Sequence, residues 1–158
     1  MKIELKKATI EDAILIYEMQ IKAFAKLLGK YQDYEISPGA EKLERIIEKL
    51  NQSFTNYYLI KFEEQNVGAV RIITMENENK CRISPIFILD EYQNKGIAQK
   101  VFELIENKYK NINNWILDTI LEEIGNCYLY EKLGYIKTGK IEEINENMHI
   151  VYYEKKYK

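Results

Sequence analysis

A glycine at the junction of a strand and a helix is the first feature of this sequence that could do chemistry. Gly96 lies in EYQNKGIAQKV, directly after the apolar run IFILD, and the small Ala98 follows two positions later. The first N–H groups of a helix have no partners within it and carry partial positive charge, so an open turn lets a phosphate approach them. Lys95 could add a direct charge or point to solvent. The alternative is that Gly96 only relaxes a tight turn.

A tyrosine in the segment NCYLYEKLGY, residues 126–135, is the second candidate. The segment is predicted to be a short helix with Gly134 at its C-terminal end. A tyrosine hydroxyl has a pKa of roughly 10, so it is protonated at neutral pH and can protonate a departing thiolate, whose pKa is roughly 8.5. Tyr130 is the residue we single out for this role. The chain contains 13 tyrosines, most of which must pack or lie on the surface, so a structural role for Tyr130 is the alternative.

The cysteine, histidine and charge patterns argue against a metal site and against nucleic acid. Cys81, Cys127 and the single His149 lack the spacing of metal ligands, so we expect free thiols and no metal. The 23 basic and 25 acidic residues give a net charge of −2, with lysines scattered among glutamates. Binding to a phosphate backbone needs clustered Lys and Arg, so no nucleic-acid partner is expected.

Length and hydropathy indicate a single domain spanning residues 1–158. The N-terminal sequence MKIELKKATIED has charges where a signal peptide needs a continuous apolar core. No stretch approaches the roughly 20 apolar residues that span a bilayer. We therefore expect a cytoplasmic protein that does not associate with membranes.

Hydrophobic periodicity and turn signals predict four helices and seven strands. Thr9 and Asp12 form an approximate capping box for the first helix, Gly29 can end it, and Ser37 followed by a proline begins the second. The predicted helices span 9–29, 37–50, 96–110 and 126–133, and the predicted strands span 3–7, 56–61, 67–75, 81–89, 115–120, 135–141 and 149–154. This order predicts a mixed α/β domain. Pro85 interrupts the fourth strand, which places it at an edge, at a bulge or where strands part.

The two candidate segments together resemble a known superfamily. DEYQNKGIAQKV resembles the Q/R-x-x-G-x-G/A phosphate motif of the GNAT superfamily of acyl-CoA-dependent N-acyltransferases, and NCYLYEKLGY resembles that superfamily's later tyrosine motif. The two lie in the expected order, separated by one helix and one strand. The resemblance implies a central, twisted, mostly antiparallel sheet of about seven strands, splayed between the fourth and fifth strands and flanked by four helices.

The resemblance also implies how acetyl-CoA would be held. The pantetheine arm would lie between the splayed strands CRISPIFIL and WILDTI, hydrogen-bonded by the backbone around Ile86, Phe87 and Ile88. The N–H groups of the glycine turn would hold the pyrophosphate, and this turn comprises Gln93, Asn94, Lys95, Gly96, Ile97 and Ala98. Asn126 is either a further contact to the cofactor or simply a helix N-cap. The chain departs from the superfamily pattern at Glu123, where an Asn is common, and this puts in doubt a contact made from that position.

By the same resemblance the chain is an N-acetyltransferase that moves acetyl from acetyl-CoA to a primary amine by direct attack in a ternary complex. Tyr130 would be the general acid, and Glu122 is taken as the base, with Asp118 and Glu123 as alternatives. A catalytically silent acyl-CoA-binding or regulatory module on the same fold is the main rival. A nucleotide-binding protein is a further one, although the GxxxxGK[ST] and GxGxxG patterns are both absent.

The acceptor is the least constrained part of the prediction. Tyr31, Asp33 and Asp118 are taken as substrate-binding residues, and Glu35 and the acidic turn EEINEN could also attract a cationic amine. A small molecule and a peptide or protein amine both remain open as the partner. Dimers are common in the superfamily, so a homodimer is also open.

Overall fold

The computed structural model describes residues 2–157, which form four helices and seven strands. The helices are α1 (Ala13–Tyr31), α2 (Leu43–Leu50), α3 (Ile97–Lys108) and α4 (Ile124–Lys132). The strands are β1 (Ile3–Lys7), β2 (Thr55–Phe62), β3 (Gln65–Met75), β4 (Lys80–Ile88), β5 (Asn114–Ile120), β6 (Ile136–Asn145) and β7 (Met148–Lys156). Within residues 2–157, no helix is long and apolar enough to cross a membrane.

The strands form one sheet in the order β1-β2-β3-β4-β5-β7-β6. All neighbours are antiparallel except β4 and β5, which are parallel. Those two strands pair only through Lys80–Arg82 and Asn114–Ile116 and then separate, although each continues for several more residues. The predicted mixed α/β fold, with its splay between the fourth and fifth strands, is confirmed. We call the space beyond Arg82 and Ile116 the β4–β5 gap.

A β-bulge lies where the gap opens. Val70 pairs with Ile86 and Ile72 pairs with Ile83, so Ser84 and Pro85 of β4 together oppose the single residue Arg71 of β3. Arg71 is buried; its Nη1 donates to the Ser84 carbonyl at 3.2 Å and its Nη2 to Gln52 Oε1 at 2.9 Å. Bulges bend a strand and increase its twist. The interruption predicted at Pro85 is therefore this bulge, and it turns β4 away from β5.

Helices cover both faces of the sheet. The side chains of successive β4 residues pack into the cores on opposite faces. Phe87 joins the core formed with α1 and α2, whereas Ile88 joins the core formed with α3 and α4. The largest fully buried side chains of the second core are Trp115, Phe102, Tyr135 and Tyr153. This alternation is the period of two that a strand imposes on its side chains.

Some predicted helix boundaries are wrong. Gly29 does not end α1; the helix continues to Tyr31, and Gln32, with φ 54°, ends it. Burial of Tyr31 against the β6–β7 hairpin outweighs the small cost of a glycine in a helix. Ser37 caps a single 3₁₀ turn, and α2 begins only at Leu43. The fourth helix begins at Ile124, two residues before the predicted start.

The close approach of β3 and β4 yields a stability prediction at Gly68. A Cβ there would lie 2.1 Å from the Phe87 carbonyl oxygen, a backbone atom that cannot move without separating the strands. We expect Gly68→Ala to lower the free energy of unfolding by about 2–3 kcal/mol in urea denaturation.

Gly29→Ala is the matched control, because within residues 2–157 nothing lies within 4 Å of its added Cβ. A glycine inside a helix costs about 0.5–1 kcal/mol relative to alanine, so this variant should be slightly more stable than the wild type. Equal stability of the two variants would contradict the proposed strand contact.

Candidate active site

A cleft of about 400 Å³ opens at the β4–β5 gap. Its walls come from five parts of the chain. These are the diverging halves of β4 and β5, helix α4, the β6–β7 hairpin, the end of α1 and the loop after α1. Its polar and charged lining residues are Asp33, Ser37, Arg82, Ser84, Asp118, Thr119, Asn126, Tyr130, Glu142 and Tyr152. Several of its apolar walls are Phe24, Leu27, Pro85, Ile86, Met148 and Ile150.

The gap leaves backbone groups of β4 without a strand partner. The Leu89 N–H donates to the Val67 carbonyl at 2.8 Å, which makes these two residues a hydrogen-bonded antiparallel pair. Since such pairs alternate with non-hydrogen-bonded ones, Phe87 also bonds to β3, whereas the N–H and C=O groups of Ile86 and Ile88 point the other way. Of the three predicted pantetheine contacts, the backbone N–H and C=O groups of Ile86 and Ile88 point toward the β4–β5 gap. Those of Phe87 point toward β3.

The glycine turn follows the far end of β4 and leads into α3. Gly96 has a φ of 79° and Asn94 a φ of 61°, so both adopt the left-handed conformation. The Gln93 side chain donates to the Ile88 carbonyl at 2.9 Å and holds the turn against β4. Within residues 2–157 no atom lies within 4 Å of a Cβ built on Gly96, so the approach is open. The N–H groups at the start of α3 can therefore donate hydrogen bonds to an anion.

Tyr130 lines the cleft from α4, with its ring held in an aromatic cluster. The ring centroids of Phe102, Tyr153 and Tyr135 lie 5.8, 6.1 and 6.3 Å from that of Tyr130. Burial, with a smaller contribution from the Asp118 carboxylate, raises the pKa of Tyr130 to about 12. The phenol therefore retains its proton at neutral pH.

The charged groups of the cleft are mainly acidic. Asp118 forms an ion pair with Arg82 at 2.8 Å, and Glu142 accepts a hydrogen bond from the Tyr152 hydroxyl at 2.7 Å. Asp33 is the third carboxylate among the lining residues, which include one arginine. Among the described residues, no group of three His, Cys, Asp or Glu side chains is placed to hold a metal ion.

The structure brings together only some of the residues predicted from the sequence. Asp33, Asp118, Asn126, Tyr130 and Ile86 meet in the cleft. Residues 93–98 lie beyond the end of β4: residues 93–96 form the turn before α3, and Ile97 and Ala98 begin that helix. Asn126 lies within the first turn of α4 and is not its N-cap, because that position belongs to Glu123.

Glu122, the residue predicted as the base, is bound to β7. It accepts hydrogen bonds from the backbone N–H of His149 at 2.8 Å and from His149 Nδ1 at 2.6 Å. Partial burial disfavours its charged form, but these hydrogen bonds outweigh that effect and lower the pKa of Glu122. In the described part of the chain it is not among the residues lining the cleft, so its position does not support a role as base.

Tyr31 and Glu123 bind each other. The Tyr31 hydroxyl donates to Glu123 Oε2 at 2.6 Å, and Lys30 Nζ reaches the same oxygen at 2.9 Å. Burial opposes ionisation of Glu123, but the two hydrogen bonds and the Lys30 charge lower its pKa. Neither residue is among those that line the cleft within the described chain.

Five polar residues of the cleft were not identified as site residues from the sequence: Ser37, Arg82, Ser84, Thr119 and Tyr152. Glu142 belongs to the turn EEINEN, which was predicted to attract a cationic amine. Arg82 had a signal, since it lies on the splayed strand four residues before Ile86. Glu142 and Tyr152 become neighbours only through the β6–β7 pairing, which the interrupted register of that hairpin conceals.

The pH dependence of stability tests whether the Glu122 carboxylate stabilises the fold through its hydrogen bonds to His149. A carboxylate whose pKa is lowered in the folded state contributes stability above its unfolded pKa of roughly 4.3, and this contribution is lost as pH falls through the folded pKa. We therefore expect Glu122→Gln to be less stable than the wild type at pH 7 and the difference to shrink below about pH 4. Urea denaturation across this range measures it, and a difference independent of pH would contradict the carboxylate's role.

Comparison with known proteins agrees with this geometry. Residues 29–157 match the sequence profile of the acetyltransferase (GNAT) domain. No curated protein is significantly similar in sequence to the chain. Many solved structures share the fold, among them an N-acetyltransferase, PaiA, from Thermoplasma acidophilum in complex with coenzyme A, with 18% identity and a TM-score of 0.76 over 99% of this chain and 100% of that one.

Two further structures are similar in fold at lower identity. An acetyltransferase from Salmonella typhimurium that modifies the N-terminal serine of a 50S ribosomal subunit protein is 11% identical, with a TM-score of 0.79 over 100% of this chain and 96% of that one. A ribosomal-protein-alanine N-acetyltransferase from Escherichia coli is 10% identical, with a TM-score of 0.78 over 98% and 94% of the two chains. With the profile match spanning well over half of its length, the chain belongs to the GNAT family of acetyltransferases.

Proposed function

We propose that the protein transfers an acetyl group from acetyl-CoA to a primary amine, with Tyr130 as the general acid. The observation that carries this proposal is the position of Tyr130: it lines the cleft at the β4–β5 gap, together with Ile86 of the strand whose backbone is unpaired there. A silent binding module would need the gap and the glycine turn but not a buried phenol in the cleft wall.

The residues present fit coenzyme A. The backbone groups of Ile86 and the N–H of Ile88 can bond the amides of a pantetheine arm, as a neighbouring strand would, whereas the Ile88 carbonyl already accepts from Gln93. The open turn at Gly96 and the start of α3 can bind a pyrophosphate through N–H groups. Acetyl-CoA would then supply the activated thioester, and this chain would orient it.

The proposed reaction is a direct transfer. The amine lone pair attacks the thioester carbonyl, the new C–N bond forms, the C–S bond breaks, and Tyr130 protonates the departing thiolate. The pKa of Tyr130, about 12, lies above the roughly 8.5 of a free thiol, so its proton is released at a cost of about 5 kcal/mol unless the transfer is coupled. Loss of the proton on the attacking nitrogen to Asp118 or to water provides that coupling, and a proton from water then restores the Tyr130 phenol.

We propose a cationic amine as the acceptor. The carboxylates of Asp33, Asp118 and Glu142 line the cleft with Arg82 as the one basic side chain among its lining residues, so the cleft favours positive charge. Asp118 is already paired with Arg82, whereas Asp33 and Glu142 have no cationic partner among residues 2–157. Apolar walls from α1 and β7 suit the carbon chain of such an amine.

The glycine turn yields a prediction for cofactor affinity. An alanine at Gly96 meets no steric obstacle, but a left-handed backbone costs a non-glycine residue roughly 1–2 kcal/mol. Because the turn must keep this conformation to bind pyrophosphate, we expect Gly96→Ala to weaken coenzyme A binding by about 5- to 30-fold in calorimetry. Gly139→Ala in β6, with the same left-handed φ and open surroundings, should leave the affinity unchanged.

The general-acid role is tested by Tyr130→Phe with Tyr128→Phe as its control. Both tyrosines lie on α4, but Tyr128 is 69% exposed and is not among the described residues lining the cleft. We expect Tyr130→Phe to lower turnover by about 10²- to 10⁴-fold with little change in coenzyme A affinity, and Tyr128→Phe to match the wild type. Thiol release from acetyl-CoA, followed with a panel of mono- and dicationic amines, measures both.

Three results would contradict parts of the proposal. Full turnover by Tyr130→Phe would remove the general acid. Coenzyme A binding without turnover on any amine would favour the silent module. Failure of the wild type to bind coenzyme A at all would overturn the assignment of the glycine turn.

A further inference from the structure

The turn between β5 and α4 is held from two sides by adjacent carboxylates. Glu122 binds the backbone and ring of His149 in β7, while Glu123 binds Tyr31 and Lys30 at the end of α1. The Leu121 N–H also donates to the His149 carbonyl at 2.8 Å. The chain is therefore fixed to the sheet and to α1 immediately before α4 begins.

Glu123 transmits this constraint into α4. It is the N-cap residue, and its carbonyl accepts the N–H groups of Asn126 at 3.0 Å and Cys127 at 3.2 Å. Tyr130 follows seven residues later, roughly two helical turns away. Because α4 is only nine residues long, a shift at its first turn moves the part that carries Tyr130.

Tyr31 connects the opposite side of the cleft to the same point. Its side chain is 4% exposed and packs with Met148 and Ile150, two residues of the cleft wall. Its carbonyl accepts a hydrogen bond from Asn145 Nδ2 at 3.2 Å, and its hydroxyl donates to Glu123. Tyr31 therefore joins α1, the β6–β7 hairpin and α4, which are three walls of the cleft.

We propose that Tyr31 and Glu123 are positioning residues for Tyr130: their charge-assisted hydrogen bond fixes α4 relative to α1 and so sets the location of the Tyr130 phenol in the cleft. The effect of this positioning on catalysis rests on the function proposed above. The effect on α4 itself does not, because it concerns only how well the helix is ordered. Hydrogen bonds between a hydroxyl and a carboxylate are among the stronger ones in proteins, so losing this one should loosen the helix start.

The chain offers a matched control. On α3, Glu106 binds Tyr157 and Lys155, which repeats the arrangement of Glu123 with Tyr31 and Lys30. None of its three residues is among the described residues lining the cleft. Tyr31→Phe and Tyr157→Phe therefore remove the same kind of hydrogen bond, one to the N-cap residue of α4 and one to a residue of α3.

The first readout is hydrogen exchange of the backbone, which needs no turnover. Tyr31→Phe should speed amide exchange in residues 124–130 while leaving α3 unchanged, and Tyr157→Phe should not affect α4. The second readout is kinetic. Tyr31→Phe should lower kcat about 10- to 100-fold without raising the KM for acetyl-CoA, because the β4 backbone and the glycine turn are untouched. Glu123→Gln keeps an acceptor oxygen for Tyr31 and should retain more activity than Glu123→Ala.

The outcomes separate this inference from the proposed function. Unchanged exchange in α4, or an equal loss of activity in Tyr157→Phe, would overturn the positioning role. Faster exchange in α4 of Tyr31→Phe with a wild type that acetylates no amine would support the structural part and contradict the proposed function. Faster exchange together with a kcat loss that Glu123→Gln largely avoids would support both.

Discussion

The parting of β4 and β5 is the constraint on which the rest of this structure depends. Two parallel strands that pair for three residues and then separate leave backbone N–H and C=O groups facing an open gap. Groups of this kind can pair with a ligand that has amides of its own, as they would with a neighbouring strand. The bulge opposite Arg71 lies where the separation begins, and there the Ser84 carbonyl bonds to a buried guanidinium.

The core on the α3 and α4 side of the sheet also determines the chemistry of the cleft. The aromatic side chains that pack around Tyr130 position its phenol and remove it from water, and burial is the main cause of its raised pKa. The same packing that retains the proton makes its release costly. A phenol in this setting can act as a general acid only in concert with another proton transfer, which the proposed mechanism assigns to Asp118 or to water.

Three carboxylates lie close together in the sequence from β5 to the start of α4, and they have three different partners. Asp118 is on a strand and faces the cleft, where it pairs with Arg82. Glu122 and Glu123 lie in the turn that follows, and they bind β7 and α1 respectively. Three carboxylates within six positions therefore have three different environments: Asp118 lines the cleft, Glu122 binds a strand of the sheet, and Glu123 binds a helix. Spacing along the chain alone does not distinguish these environments.

Local signals in the sequence determined the order of helices and strands, the glycine turn and the tyrosine helix, because periodicity, capping and a positive φ at Gly96 depend on near neighbours. The resemblance carried by two short motifs extended this to the splayed sheet. Only the tertiary structure decided where α1 ends, that Tyr31 and Glu123 bind each other, and that Glu142 and Tyr152 enter the cleft. Tyr31 and Glu123 are 92 residues apart, and such contacts depend on how the sheet and helices pack, which no local pattern encodes.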